Sequence, residues 1–334
     1  MSQEKDLSKY NVRTDLAIEL VEEGIETKEE GNIKVTSITL NEEKGKSINK
    51  KAGIYTTIEF PDITDYDNSE KIKTIFKKEL QNLLKKENIK EKNTCLIIGL
   101  GNEKSTPDAL GPLTIQNIIV TNHLYIYGEL DEGFRRVYAI SPGVMGETGI
   151  ETSDLIKGII SEIRPDFIIT IDALAASSIE RLNKTIQMTN AGINPGSGVG
   201  NKRKEISKDT LGIPVIAVGV PTVVDAVSIV NDTIHYMYKN FAYTKANIHN
   251  PANKLMLKVN YLKHNIDIEE KDKQKLFGIV GTLSNEEVKS LIYEVLNPVG
   301  YNLMVTPKEE DFIVKKISTV ISSGINSALH KEVK

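Results

Sequence analysis

The fold is decided by residues 152–172, which read TSDLIKGIISEIRPDFIITID. Apolar side chains recur at helical spacing in the first part, which predicts a helix from Thr152 to Ile163. The apolar run from Asp166 to Ile171 predicts a strand, and Asp172 follows that strand directly. A helix that leads into such a strand is typical of an α/β protein.

The same alternation continues on both sides of this stretch. Further strands are predicted at 95–99, 137–140 and 214–218, and further helices at 69–86, 222–238, 286–296 and 309–329. Because helical segments separate the strands, we expect an α/β fold with a mostly parallel sheet flanked by helices. Residues 32–40 and 54–60 alternate apolar and polar side chains, which predicts an additional pair of strands at a sheet edge.

The domain organisation is predicted from two less regular regions. Residues 1–30 are charged and lack a sustained period, so we expect this arm to be loosely held and removable. The region from Tyr243 to about Lys273 is polar, which predicts a smaller inserted region near 243–285. The remainder, residues 16–334, is predicted to be a single α/β domain.

Composition excludes several classes of protein. The chain has 334 residues and a net charge of −4, so its overall field favours neither nucleic acid nor an anionic membrane. No apolar run approaches the roughly 20 residues that span a bilayer, and residues 1–6 do not resemble a signal peptide, so we expect a cytoplasmic protein. The single cysteine, Cys95, excludes an internal disulfide and begins an apolar run, which indicates a buried strand residue.

Two aspartates are the candidate catalytic residues. Asp108 lies in the loop after the strand at 95–99, and Asp172 follows the strand at 166–171. In an open α/β sheet such loops border the same crevice, so the two carboxyls can form an acid/base pair that shares one proton. Each also has a structural alternative: Thr106 can cap a helix that contains Asp108, and Asp172 can be a hydrogen-bonded structural residue.

Other motifs give weaker signals. Gly99-Leu100-Gly101 lacks the third glycine of a dinucleotide-binding loop, so no cofactor is predicted. The loop from Pro195 to Lys204 can cradle an anion or be a solvated surface loop. The five histidines form no His-Glu-x-x-His pair, and no serine lies in a Gly-x-Ser-x-Gly elbow.

The sequence resembles the germination proteases of spore-forming bacteria, which are atypical aspartic endopeptidases, over nearly its whole length. The matching segments are VRTDLA (12–17), GLGN (99–102), TPDALGP (106–112), SPGVMG (141–146), TGIET (148–152), DALAA (172–176), the loop at 195–204 and GVPTVVDA (219–226). The resemblance departs from the family pattern at Ser177 and at Asn190–Asn194, which puts any role of those side chains in doubt.

The resemblance implies a function and a site. It implies that Asp108 and Asp172 are the catalytic carboxyls, with no metal, on a fold similar to hydrogenase-maturation proteases. It implies a homotetramer of the forespore and spore core that degrades small, acid-soluble spore proteins during germination, cleaving after an acidic residue that precedes a large apolar one. It further implies a precursor with a propeptide at 1–15 that cleaves itself between Asp15 and Leu16.

Two rival functions remain at this stage. A metal-assisted hydrolase or maturation peptidase of the same fold can use Asp108 and Asp172 as ligands, together with a nearby Glu or His. A noncatalytic anion-binding module can use the loop around Gly198–Gly200 instead.

Overall fold

The computed structural model describes residues 14–196, 203–249, 261–264, 266–296, 303–331 and 333. The chain divides into two compact units. The larger contains Arg13–Ala176, Glu180–Val223 and Thr306–Lys334, and the smaller contains Ser177–Ile179 and Val224–Val305.

The larger unit is built on a central sheet flanked by helices. Its strands are β1 (Ile25–Glu30), β2 (Ile33–Leu40), β3 (Gly53–Glu59), β4 (Cys95–Gly99), β5 (Val137–Ile140), β6 (Phe167–Ala176), β7 (Thr185–Thr189) and β8 (Val215–Asp225), whose last two residues belong to the smaller unit. Their spatial order is β1-β2-β3-β7-β8-β6-β4-β5. The predicted α/β class, with helices around a central sheet, is therefore confirmed.

The pairing of the strands differs from the expected mostly parallel sheet. β4 pairs in parallel with β5 and β6, but β1, β2, β3, β7 and β8 pair with one another in antiparallel order. The first connection explains part of this, because the two residues between β1 and β2 are enough for a hairpin, whereas a parallel pair needs a crossover of a dozen residues or more. Neither β1 nor β7 was predicted from the sequence.

Helices of the larger unit cover both faces of its parallel strands. They are α1 (Glu42–Ser47), α2 (Tyr66–Lys86), α3 (Leu110–Ile115), α4 (Asn122–Tyr127), α5 (Met145–Thr148), α6 (Thr152–Ile163), α7 (Lys208–Leu211) and α11 (Glu310–Leu329). Ile97 and Ile169 share a core with α2 and α11, while Leu96 and Ile168 share one with Ile156 of α6. Successive side chains of β4 and β6 point to opposite faces of the sheet, so both faces of these strands are buried. Cys95 is fully buried on β4, as predicted.

Close packing of α11 on α2 leads to a first testable prediction. A Cβ at Gly324 would lie 2.4 Å from Cδ1 of Phe76, whose ring is fully buried. We expect Gly324→Ala to lower the free energy of unfolding by about 1–3 kcal/mol, because overpacking outweighs the gain in helix propensity. Urea denaturation of the two proteins measures this difference.

The matched control is Gly158→Ala in α6, where no described atom beyond the backbone of the helix itself lies within 4 Å of the new Cβ. This change is expected to be neutral or to stabilise the protein by up to about 1 kcal/mol, since alanine is the better helix former. Equal effects of the two substitutions would contradict the packing argument.

The smaller unit is mainly helical. It contains α8 (Ala226–Ala246), α9 (Glu270–Phe277), α10 (Asn285–Leu296) and the short strand β9 (Met304–Val305), which pairs with Val224 and Asp225 at the end of β8. The helix predicted from residue 222 is wrong at its start, because the strand continues to Asp225. The Asp225 carboxylate accepts the Val227 N–H as the N-cap of α8.

The compact unit spans Val224–Val305, a wider range than the inserted region predicted near 243–285. Residues 250–260 and 265 of that region lie outside the described ranges. The division into a propeptide at 1–15 and one domain at 16–334 stays a prediction.

The expectation of a loosely held N-terminal arm is wrong for its last part. Leu16 and Ala17 are fully buried, and β1 forms the edge strand beyond β2. All six residues of β1 are exposed and largely charged, so its sequence lacks the apolar alternation that reveals a half-buried strand. Residues 1–13 lie outside the described ranges.

Candidate active site

The end of β4 lies beside the middle of β6, and this neighbourhood positions the two candidate aspartates. Gly99, the last residue of β4, pairs with Ile171 of β6, and the Leu100 N–H donates to the Ile171 carbonyl at 2.8 Å. Asp172 is the next residue of β6, while the loop that follows β4 carries Asp108. β6 continues to Ala176, so Asp172 lies within the strand and not beyond its end as the sequence suggested.

A tight loop holds Asp108. The Asn102 N–H donates to Oδ2 of Asp108 at 2.9 Å and also to its main-chain carbonyl at 3.1 Å. Gly101 makes this approach possible, because its φ is +108° and a Cβ there would lie 2.1 Å from the Asp108 carbonyl oxygen. A 3₁₀ turn spans Thr106–Asp108, with Pro107 and Asp108 in its first turn and Ser105 as its N-cap, so the predicted helical start is confirmed and only the capping residue is wrong.

Asp172 lies in an environment that disfavours its charge. The side chain is 5% exposed, and its Oδ1 accepts the Ala173 N–H at 3.0 Å. Burial holds the pKa of Asp172 well above its usual value, and the carboxylates of Asp108 and Asp15 raise it further, against the opposing effect of Arg203. Burial also raises the pKa of Asp108, while the Asn102 N–H and Arg203 offset part of that rise.

The predicted cleavage segment lies beside this pair. The Asp15 N–H donates to the Ala175 carbonyl at 3.0 Å, and the Ala175 N–H donates to Oδ2 of Asp15 at 2.9 Å. Leu16 is fully buried and packs with Leu174 and Ala176 of β6. The fold therefore brings all four predicted site residues together: Asp15, Leu16, Asp108 and Asp172.

Three further residues contact or influence this site, and the sequence analysis did not single them out. Nζ of Lys50 donates to the Thr14 carbonyl at 3.1 Å, and burial lowers the pKa of Lys50 while Asp15 and Glu19 partly offset that effect. Gln187 of β7 contacts the main chain of Asp15. Arg203 belongs to the basic loop noted above. Gln187 lies in the mixed-polarity segment TIQMT (185–189) and Lys50 is one of several nearby lysines, so neither gave a distinctive sequence signal.

Two negative findings apply to the described parts of the chain. Among those residues, no group of three or more His, Cys, Asp or Glu side chains is arranged to hold a metal ion. In the same ranges, none of the helices combines the length and apolar character needed to cross a bilayer. Residues 197–202, which carry most of the predicted anion cradle, lie outside the described ranges.

Comparison with known proteins assigns the family. The sequence profile of the family described as germination protease matches residues 2–334. The chain belongs to the germination protease family. It is therefore a peptidase, as its sequence predicted.

Relatives in this family are similar over their full length. The chain is 48% identical to a germination protease of a Geobacillus species and 49% identical to one of Bacillus cereus, in each case over 100% of this chain and 97% of the relative. Among solved structures, a NiFe hydrogenase maturation protease, HycI, from Thermococcus kodakarensis is 17% identical over 42% of this chain and 79% of that chain, with a TM-score of 0.28. A likeness this low carries no argument, so the predicted relation to hydrogenase-maturation proteases stays a prediction.

The raised pKa of Asp172 predicts a pH-dependent stability. The folded chain retains the Asp172 proton to higher pH than the unfolded chain does. The contribution of this group to the free energy of unfolding is therefore fully present below the unfolded pKa of about 3.9, and it is lost as pH rises through the folded pKa. We expect Asp172→Asn to be more stable than the parent by at least about 1 kcal/mol at pH 7, because one pKa unit is worth about 1.4 kcal/mol.

This advantage should shrink toward zero near pH 4, and urea denaturation of intact full-length chains at both values measures it. The control is Gly158→Ala, which changes no titratable group, so its stability difference from the parent is expected to be the same at both pH values. A constant advantage for Asp172→Asn as well would mean that Asp172 is not held protonated.

Proposed function

We propose that this chain is an aspartic endopeptidase in which Asp108 and Asp172 activate water without a covalent intermediate. The observation that carries the proposal is geometric: buried Asp172 lies on β6 beside the end of β4, which leads into the Asp108 loop, and the Asp15 carboxylate accepts the N–H of Ala175 on the same strand. Two interacting carboxyls of this kind share one proton, so one of them can act as a general acid while the other acts as a general base.

The environments of the two aspartates suggest their roles. Asp172 is the more buried carboxyl and has the more strongly raised pKa, so it carries the proton and polarises the carbonyl oxygen of the peptide. Asp108 accepts an N–H and is the ionised partner that takes a proton from the attacking water. During attack the Asp172 proton passes to the carbonyl oxygen. The proton on Asp108 then passes to the leaving nitrogen as the C–N bond breaks, and one hydroxyl of the intermediate returns a proton to Asp172 as the free carboxyl forms.

We propose that the chain is made as an inactive precursor that cleaves itself between Asp15 and Leu16. The contacts around this segment fit a preference for an acidic residue before a large apolar one. The Asp15 carboxylate accepts the Ala175 N–H and lies within the electrostatic influence of Lys50, while the Leu16 side chain is fully buried against Leu174 and Ala176.

Membership of the family supports a proposal for the biological role. Relatives of similar length carry the name germination protease, and we propose that this chain likewise degrades small, acid-soluble spore proteins in the spore core as a homotetramer. Neither nucleic acid nor a membrane is proposed as a direct partner.

The test is to incubate the full-length chain, and separately a chain that begins at Leu16, with a small, acid-soluble spore protein. New termini are identified by mass spectrometry. We expect a new Leu16 terminus in the full-length chain, and substrate cuts after acidic residues that precede Leu, Ile or Phe. Absence of substrate cuts by the chain that begins at Leu16 would overturn the proposed activity.

A further inference from the structure

Gln187 is the feature of this site that the mechanism above leaves unused. Its side-chain amide makes two hydrogen bonds to the main chain on either side of Leu16. Nε2 donates to the Asp15 carbonyl oxygen at 3.1 Å, and Oε1 accepts the Ala17 N–H at 2.7 Å. The side chain is 5% exposed, so these bonds form away from bulk water.

The position of Gln187 in the sheet places its side chain against residues 15–17. On β7, Ile186 and Met188 belong to the main core of the larger unit, so Gln187 lies on the opposite face. The neighbouring residue on β8 is Gly219, where a Cβ would lie 2.4 Å from the Leu174 side chain. Leu174 in turn packs against Leu16, so β7 and β8 hold both the main chain and the side chain of the segment.

The Asp15 carbonyl is the group that changes during self-cleavage. Water attacks its carbon, and negative charge develops on the oxygen that already accepts the Gln187 amide. A fixed donor aimed at such an oxygen stabilises the transition state more than the ground state. The second bond, to Ala17, fixes the amide orientation so that Nε2, and not Oε1, faces the carbonyl.

We propose that Gln187 holds the main chain at the bond that is cleaved and donates a hydrogen bond to the Asp15 carbonyl oxygen during self-cleavage. We call its two hydrogen bonds, to Asp15 and Ala17, the main-chain clamp. The inference rests on the proposed cleavage between Asp15 and Leu16. Both bonds go to backbone atoms, so the clamp fixes the position of the bond to be cleaved independently of the side chains at 15 and 16.

The test uses full-length parent, Gln187→Met and Gln187→Glu proteins. The first-order rate of appearance of the Leu16 terminus is followed by mass spectrometry from pH 7.5 down to pH 4.5. Met has a similar size but cannot donate to the carbonyl, so Gln187→Met is expected to lower the rate about 100-fold or more at every pH. Thermal unfolding of each protein checks that the fold is retained.

Gln187→Glu separates the clamp from a purely structural role. An ionised Glu accepts the Ala17 N–H but has no donor for the carbonyl, whereas a protonated Glu supplies an O–H. The rate of Gln187→Glu relative to the parent is therefore expected to rise at least 10-fold as pH falls through the pKa of the introduced carboxyl. A ratio that stays flat, or a Gln187→Met rate equal to that of the parent, would overturn the inference while leaving the proposed cleavage intact. A parent chain that never forms the Leu16 terminus would overturn both.

Discussion

Asp172→Asn is expected to abolish self-cleavage and substrate cleavage, with a rate loss of about 10³-fold or more. The amide keeps the shape of the carboxyl and can still accept the Ala173 N–H, but it cannot deliver a proton to the carbonyl oxygen. The measurement is the rate of Leu16 terminus formation in the full-length chain, together with the rate of substrate cleavage by a chain that begins at Leu16 and carries the same change.

Asp225→Asn is the control for this experiment, since Asp225 is also buried but caps α8 at a distance along the chain from the site. It is expected to keep nearly full activity. Combined with the stability gain predicted at pH 7, the Asp172→Asn result has a distinctive form: a more stable protein without activity. Retained cleavage in Asp172→Asn would rule out Asp172 as the acid.

Gly101→Ala is expected to lower the rate of cleavage about 100-fold, because it displaces the loop that holds Asp108. The φ of +108° is strained for any residue with a Cβ, and that Cβ would meet the Asp108 carbonyl oxygen at 2.1 Å. A displacement of about 1 Å in a catalytic group is enough for such a loss. Steady-state kinetics on a peptide substrate measures it.

The loss should appear mainly in kcat, because the position of Asp108 affects the chemical step more than ground-state binding. Gly158→Ala again serves as the control, since α6 has room for the added Cβ. If Gly101→Ala retains the parent's kcat, the Asp108 loop is not held in the way described here.

Much of the fold was predictable because local pattern encodes it. The strands at 95–99 and 137–140 and the helix at 152–163 match the structure, since buried strands and amphipathic helices differ in apolar period. The exposed strand β1 lacked such a period, and the segment 185–189 is too short and too mixed in polarity to predict the strand β7. The helix predicted from residue 222 begins too early because β8 continues to Asp225 through Pro221, a residue that usually interrupts a strand.

The candidate site was predictable in part. Asp108 and Asp172 stood out because a charged residue after an apolar strand needs a compensating partner. The segment around Asp15 and Leu16 was recognised only through its resemblance to the family. Lys50 and Gln187 carried no sequence signal strong enough to link them to it.

By itself, the sequence determined the α/β class, the choice of Asp108 and Asp172 as candidate residues and membership of the family, since each depends on residues close together in the chain. Only the tertiary structure decided that half of the sheet is antiparallel and that Asp15, Leu16 and Gln187 lie beside Asp172. The Asp15 carboxylate meets an N–H 160 residues away, and Gln187 meets a carbonyl 172 residues away. Contacts between residues so far apart in the sequence depend on strand order and register. The packing of the whole sheet fixes both, and no local sequence pattern encodes them.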